Sequence, residues 1–485
     1  MNANHLASIA TRPQSTESLH ASSAKNDPDG ARTLDANRSF RAFRATPTQS
    51  AASHRITDFV RIPPASMAFT LLMSFLSALP SFAIDMSLPA ITETAASLRV
   101  APAQAGLMMS LFMVGFAVAP LFYGPASDRY GRKPIVVFAC MLFVIAGIGC
   151  ALAQSLPTLL MWRVVQGAGA GASMTIALAI IRDLFEGQAA RTKLSYVTIA
   201  TMIVPMIAPT AGAALLALGG WRVIHAVLAG VGLFLLLAML LGFAESARIN
   251  PANRLVPSVI ARNYLRVLMH PLCLGYILVS STTFGALFAY VSGSSLFLIN
   301  VVGLRPLQYG LVFAATSLGI MAGAFLNTRL SARGVLPFYP LAAGLLLAVV
   351  SAILLLAMTL VNWMPLPLFI SLLVLGNLAF GLTAPNAMQR AMQPLPQIAG
   401  AAGAATGCIQ MTIGAVVSGL VAALYDGHSA LSMTAFMALC SLLALVSYLL
   451  LARPAECVVV LATNMTSRPS VVRNLPEPAA FRPAH

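Results

Sequence analysis

Apolar residues fill long stretches of this chain, and polar ones are confined to the gaps between them. Stretches near the ~20 residues a helix needs to cross a bilayer fall at 66–88, 103–123, 134–153, 158–181, 194–218 and 222–243. A polar connector occupies 244–270, and six more stretches follow at 271–298, 308–330, 336–361, 366–388, 399–424 and 431–451. The pattern predicts an all-α polytopic membrane protein: twelve transmembrane helices in two six-helix halves, residues 66–243 and 271–451. Residues 1–65 are rich in Ser, Ala, Thr, Asn and Arg without apolar periodicity, and predict a disordered tail rather than a signal peptide. The tail at 452–485 contains one short apolar run, Cys457 to Ala462, which is too brief to span.

Charge assigns a direction to this pattern. With both tails inside, Arg129, Arg132, Lys133, Arg182, Arg191, Lys193, Arg248, Arg254, Arg262, Arg266, Arg329, Arg333 and Arg390 fall in inner connections. Only Arg99, Arg222 and Arg305 fall outside, as cytoplasmic retention of basic loops requires. Trp162, Trp221 and Trp363 all map to outer ends, where aromatic rings favour the membrane–water boundary. The expected location is a bacterial inner membrane with both termini cytoplasmic.

Composition excludes other classes. At 58% hydrophobic and 9% charged, the chain lies far from soluble averages of about 25% charged. The net charge of +15 sits in connections and tails, so nucleic acid is not an expected partner. Six cysteines include no C-x-x-C pair, and Cys140 and Cys150 are about 15 Å apart on one helix, too far to bridge. No histidine is expected inside the membrane, since His225 and His270 sit near helix ends. Metal sites, histidine proton relays, cofactors and embedded catalytic sets therefore have no candidates, and an enzyme is not expected.

What remains charged inside the apolar stretches is the strongest functional clue. Of fourteen acidic residues, thirteen fall in tails or connections, leaving Asp85 in the first stretch; the bases leave Arg163 near the start of the fourth. Both are expected in the outer half of the bilayer at similar depth. Burial disfavours the charged carboxylate and a nearby cation favours it, a balance that suits reversible proton uptake. Permanent pairing of Asp85 with Arg163 is the competing structural expectation. Gln166 lies one turn from Arg163 and can share its polar partner.

Other residues shape helices. Gly167 and Gly171 form a G-x-x-x-G face suited to close packing. Pro205 and Pro209 bend the fifth helix, just before Gly212. The eleventh begins Ala399-Gly400-Ala401-Ala402-Gly403, and its positive dipole end is placed to meet Asp128 as a breakable latch between halves. Phe284, Phe288 and Tyr290 in the seventh, with Asn377 in the tenth, suit a cavity for amphipathic solutes, although ordinary packing is an equal reading of each. Asn327 to Gly334 reads as a faded copy, without the acid, of the charged stretch at 124–134.

That charged stretch resembles the signature joining the second and third helices of the major facilitator superfamily. Gly124, Asp128, Arg129, Gly131, Arg132 and Lys133 match it, and Ala126 replaces its leucine. Arg163-Val164-Val165-Gln166-Gly167 is similar to the family's fourth-helix motif. Pro205 to Gly212 resembles its proton-antiporter motif, with Ala208 and Ala213 standing where glycines are usual. Ile84 to Ala90 and Gly303 to Gly310 are similar to Bcr/CflA-type multidrug exporters. The resemblance implies a monomeric drug:proton antiporter that exports small amphipathic molecules and draws on the proton gradient. It implies that Asp85 carries the proton, that Arg163 and Gln166 modulate it, and that Asp128 and its neighbours gate the inner side. A metabolite or sugar exporter or symporter on the same fold is the alternative.

Overall fold

The computed structural model describes residues 62–246 and 257–455; the remaining tail and connector positions, Cys457 to Ala462 among them, lie outside the described residues. Twelve spans long and apolar enough to cross a membrane are present among the described residues. In chain order the helices are α1 (Met67–Asp85), α2 (Ile91–Leu98), α3 (Pro102–Tyr130), α4 (Arg132–Ala151), α5 (Leu156–Leu184), α6 (Gly187–Gly219) and α7 (Trp221–Gly242). Then come α8 (Pro257–Met269), α9 (Pro271–Asn300), α10 (Pro306–Ala332), α11 (Phe338–Leu360), α12 (Leu366–Met392), α13 (Ala399–Ala423) and α14 (Leu431–Ser447). Helices α1 and α2 together make the first span, and α8 is a helix within what the sequence shows only as a polar connector.

The first span is broken for a local reason. Pro89 has no N–H to give, so the chain tightens at Met86 and Ser87 into a 3-10 turn over Leu88–Ala90 before helix resumes. The Ser87 amide reaches the Ile84 carbonyl instead of that of Ala83 (3.2 Å). This frees the Ala83 carbonyl, which accepts from Ser87 Oγ at 2.9 Å and from a further donor described below. Asp85 is the last residue of α1 and sits at this break.

Several helices outrun their apolar stretches, because a helix continues past the hydrocarbon wherever nothing breaks it. The charged stretch expected as a connection is the clearest correction: Gly124–Tyr130 is the last two turns of α3, and only Gly131, at φ +100°, turns the chain into α4. Glu93, expected in an outer loop, lies in α2 and accepts the first amide of α7, from Trp221, at 3.2 Å. Trp221 itself is 2% exposed, packed edge-on against His225 and beneath Arg222, and therefore does not sit in an aromatic belt. Trp363 is 61% exposed, as such a place requires.

The helices pair in the same way twice. The α3/α5, α4/α5, α4/α7 and α1/α6 contacts recur as α10/α12, α11/α12, α11/α14 and α9/α13. The closest crossings also recur: a Cβ on Gly167 would strike the Phe112 carbonyl of α3, as one on Gly381 would strike the Ile320 carbonyl of α10. Gly171 continues the α3 face, while Gly169 packs on α4, so the small residues of α5 serve packing.

The two groups meet through α3/α13 and α6/α10, at one end only. Ser110 Oγ donates to the Ala415 carbonyl (2.6 Å), Thr92 Oγ1 to Asn300 Oδ1 (2.8 Å), and Gly310 abuts Thr210. All lie toward the end that carries Asp85. Toward the Asp128 end no hydrogen bond crosses between the groups among the described residues, and a methyl on Gly124, Gly400 or Gly407 would meet nothing within 4 Å. The bundle is closed at the Asp85 end and splayed at the other.

Candidate functional site

Arg163 is wholly buried in α5 and has no carboxylate partner among the described residues; its charge is met by backbone and neutral groups. Its guanidinium donates to the carbonyls of Met108 (3.2 Å) and Ala83 (3.2 Å) and to Gln166 Oε1 (2.9 Å), and stacks 4.6 Å from the Phe112 ring centroid. The Ala83 carbonyl is the one freed by the break, so Arg163 pins that break two residues from Asp85. Permanent pairing of Asp85 with Arg163 is not what forms. Among the described residues the ion pairs are those of Arg132 with Asp128 and Asp183.

Asp85 is 6% exposed, and no hydrogen bond reaches its carboxyl from the described residues. Its charge reaches Tyr290 in α9 and Tyr309 in α10, both from the second helix group, as a long-range influence and not as a hydrogen bond. Met86, the next residue, presents its carbonyl to Gly212 of α6, where a Cβ would collide with it. Gly310 packs on Thr210 of the same segment. The Pro205, Pro209 and Gly212 segment, helical throughout, is thus wedged between the Asp85 break and the opposite helix group.

The predicted cavity residues separate into two kinds. Tyr290 donates to or accepts from Thr316 Oγ1 (2.5 Å), and Asn377 Nδ2 donates to the Thr316 carbonyl (3.0 Å). Both are buried and bind α9 and α12 to α10. Phe284 is partly open. Its ring lies tilted against that of Phe288 (centroids 4.6 Å apart) and faces Gly414 of α13, which also meets Met113 of α3. Phe284, Met113 and Gly414 lie where the two groups diverge.

At the splayed end, Arg132 reaches Asp128 and, at 2.9 Å, Asp183 of α5, and it also donates to Ser127 Oγ (2.6 Å). Glu245 accepts the amides of Arg132 (2.8 Å) and Lys133 (3.0 Å), stabilising the positive end of α4. Lys133 Nζ caps the Leu240 carbonyl, Arg129 lies over Tyr130, and a Cβ on Gly131 would press on Glu245. This network ties α3, α4, α5 and the end of α7 together within one group. The expected latch from Asp128 to the start of α13 is not made; with that end splayed, Asp128 turns to Arg132.

The sequence reading missed four participants. Asp183 and Glu245 are remote in sequence from what they contact, as Tyr309 is from the carboxyl whose charge reaches it. His225 is the larger correction: a place near a helix end suggested a wet imidazole, yet it is 2% exposed, with Nδ1 unpartnered by protein. Helices α4 and α7 are antiparallel, with Gly147 against Ala229 and Phe143 against Gly232, which brings Cys150 level with His225. Cys150 Sγ in turn lies 4.0 Å from Gln166 Oε1. An unpartnered buried nitrogen costs ~1–3 kcal/mol, so His225→Phe is expected to hold or raise the thermal midpoint in detergent. A fall of several degrees would reveal a polar contact that the ring makes.

Comparison with known proteins agrees with this geometry. The Major Facilitator Superfamily profile matches residues 70–418. A bicyclomycin resistance protein homologue of Haemophilus influenzae is 29% identical over 384 residues, covering 78% of this chain and 95% of that protein. The multidrug resistance protein MdtL of Escherichia coli is 29% identical over 234 residues, covering 48% of this chain and 59% of its own. Among solved structures, a bacterial homologue of the human lysosomal transporter Spinster, inward-facing and unoccupied, superposes with TM-score 0.59 at 16% identity, over 82% of this chain and 97% of that one. A D-xylose–proton symporter superposes with TM-score 0.60 at 17% identity, over 78% and 97%. With twelve spans, twice-repeated helix pairing and a profile match across most of its length, the chain belongs to the Major Facilitator Superfamily and is a multi-pass membrane transporter of small molecules.

Proposed function

We propose that this transporter exports small amphipathic drugs across a bacterial inner membrane in exchange for protons. The observation that carries the reading is the lone carboxyl of Asp85. It is buried, free of any ion pair among the described residues, and set at the seam between the two helix groups. A neutral carboxyl suits that seam and a charged one strains it, because burying an unpaired charge is costly. Protonation therefore favours one packing of the seam and ionisation another, which links proton occupancy to which end is open.

The splayed end is taken as cytoplasmic, in keeping with the basic residues there, and Asp85 then lies toward the outside. In the cycle, substrate enters the open end near Phe284 and Phe288, and the groups rock so that the Asp85 end opens. Asp85 takes a proton, substrate leaves, the empty carrier returns, and the proton is lost inward. Arg163, held by Gln166, keeps the break in register. Asp128, Arg129, Arg132 and Lys133, with Gly124 and Gly131, would close the inner end. The names of the relatives, bicyclomycin resistance and multidrug resistance, support drugs as cargo.

Bicyclomycin is the first compound to try. Adding it to purified protein in weakly buffered detergent should release protons, with more released as pH falls toward the carboxyl's titration range. No release at any pH for a compound that demonstrably binds would remove the exchange mechanism. A symporter of metabolites or sugars shares this fold, and vesicles with an imposed pH gradient separate the two: export requires substrate and proton to move in opposite directions.

A further inference from the structure

The connector helix α8 carries a feature that transport does not use. One face is anchored: Val267 is fully buried, and Tyr264 and Leu268 pack with it in the cluster that includes Cys273 of α9 and Ala402 of α13. The opposite side is open. Leu265 is 57% and Met269 73% exposed, one turn apart, and Arg262 and Arg266, also one turn apart, are exposed beside them. Neither arginine has a hydrogen-bond or ion-pair partner among the described residues.

Position gives this face its meaning. Met269 is separated from the start of the spanning helix α9 by His270 alone, whose Nδ1 caps the Cys273 amide. The exposed Leu265 and Met269 therefore lie at the level where the seventh span enters the hydrocarbon. Apolar side chains at that level with flanking arginines are the composition of a helix lying in the headgroup region. Guanidinium groups pair bidentately with phosphate, and the adjacent aliphatic residues exclude a soluble anion's full hydration shell.

We infer that the exposed face of α8, through Arg262 and Arg266 with Leu265 and Met269, is a docking surface for anionic phospholipid of the surrounding bilayer. It holds the connector against the membrane as the two helix groups move. The lipid phosphates neutralise the arginines, and the acyl chains cover Leu265 and Met269. The inference stands apart from cargo and from proton coupling.

The test uses the full chain in nanodiscs of phosphatidylcholine alone or mixed with phosphatidylglycerol, with thermal unfolding and native mass spectrometry as readouts. Phosphatidylglycerol is expected to raise the thermal midpoint and to be retained as bound lipid. Each arginine near an anionic surface contributes roughly a fivefold preference, so R262Q/R266Q should lose more than about tenfold of it. L265S/M269S should weaken retention of either lipid, and R333Q, at an exposed arginine in the turn just after α10, should change neither. Three results would overturn the inference: full phosphatidylglycerol preference in R262Q/R266Q, equal loss in R333Q, or equal protection by soluble glycerol phosphate. A co-purifying protein that R262Q/R266Q releases, with lipid preference unchanged, would overturn it as well.

Discussion

Replacing Asp85 by Asn is expected to abolish drug-driven proton release and to return an efflux-deficient host to the susceptibility of its empty-vector control. The substitution keeps shape and removes only the ability to ionise. Since no hydrogen bond reaches the carboxyl from the described residues, the amide forfeits none. The thermal midpoint should hold or rise, because a group that can become an unpaired buried charge is gone. Binding of the drug should persist, so loss of release can be told from loss of the site. If proton release and resistance survive in the Asn variant, the carrier is another group.

The second large effect is structural. Gly167→Val is expected to prevent accumulation of folded protein, judged by a monodisperse peak on size exclusion. Its Cβ would coincide with the Phe112 carbonyl, and backbone cannot swing aside as a side chain would. Overpacking that forces side chains and backbone to shift costs ~1–3 kcal/mol, occasionally more. Native stabilities are only ~5–15 kcal/mol, so one such collision consumes a large share. Gly407→Ala is the control. Nothing lies within 4 Å of the added methyl, and the helix propensity of Ala should add ~1 kcal/mol of stability. A well-folded Gly167→Val protein would mean that α3 and α5 can separate without harm.

The spans were legible because hydrocarbon imposes one requirement, apolarity over a fixed length, and the sequence meets it twelve times. Their ends were less so. Gly124 and Pro125 disfavour a helix interior, yet α3 runs through both, and an apolarity criterion stops where charge begins, not where hydrogen bonding ends. Asp85 and Arg163 stood out by elimination, since few charged residues remain in apolar stretches. Their relation did not: pairing by depth ignores azimuth, and Arg163 points to the freed Ala83 carbonyl while Asp85 faces the other helix group. His225 and Trp221 were misjudged for a similar reason. Proximity to a helix end says nothing of which face a side chain occupies, and both turn inward against α4 and α2. Tyr309 was beyond reach, because what singles it out is the charge of Asp85, more than two hundred residues away in sequence.

The closed seam bears on energetics. Two hydrogen bonds cross it among the described residues, Ser110 to Ala415 and Thr92 to Asn300, each with a net worth of ~1 kcal/mol. Close approaches without hydrogen bonds join them, Gly106 to Ala422 and Gly310 to Thr210, and such contact is partly replaceable by lipid or solute. Parting the halves is thus a shallow step, on the scale of a single ligand's differential affinity. A rare spontaneous opening would let cargo slip through unaccompanied, so a slow uncoupled leak belongs to this architecture as a direct outcome of how lightly the seam is fastened.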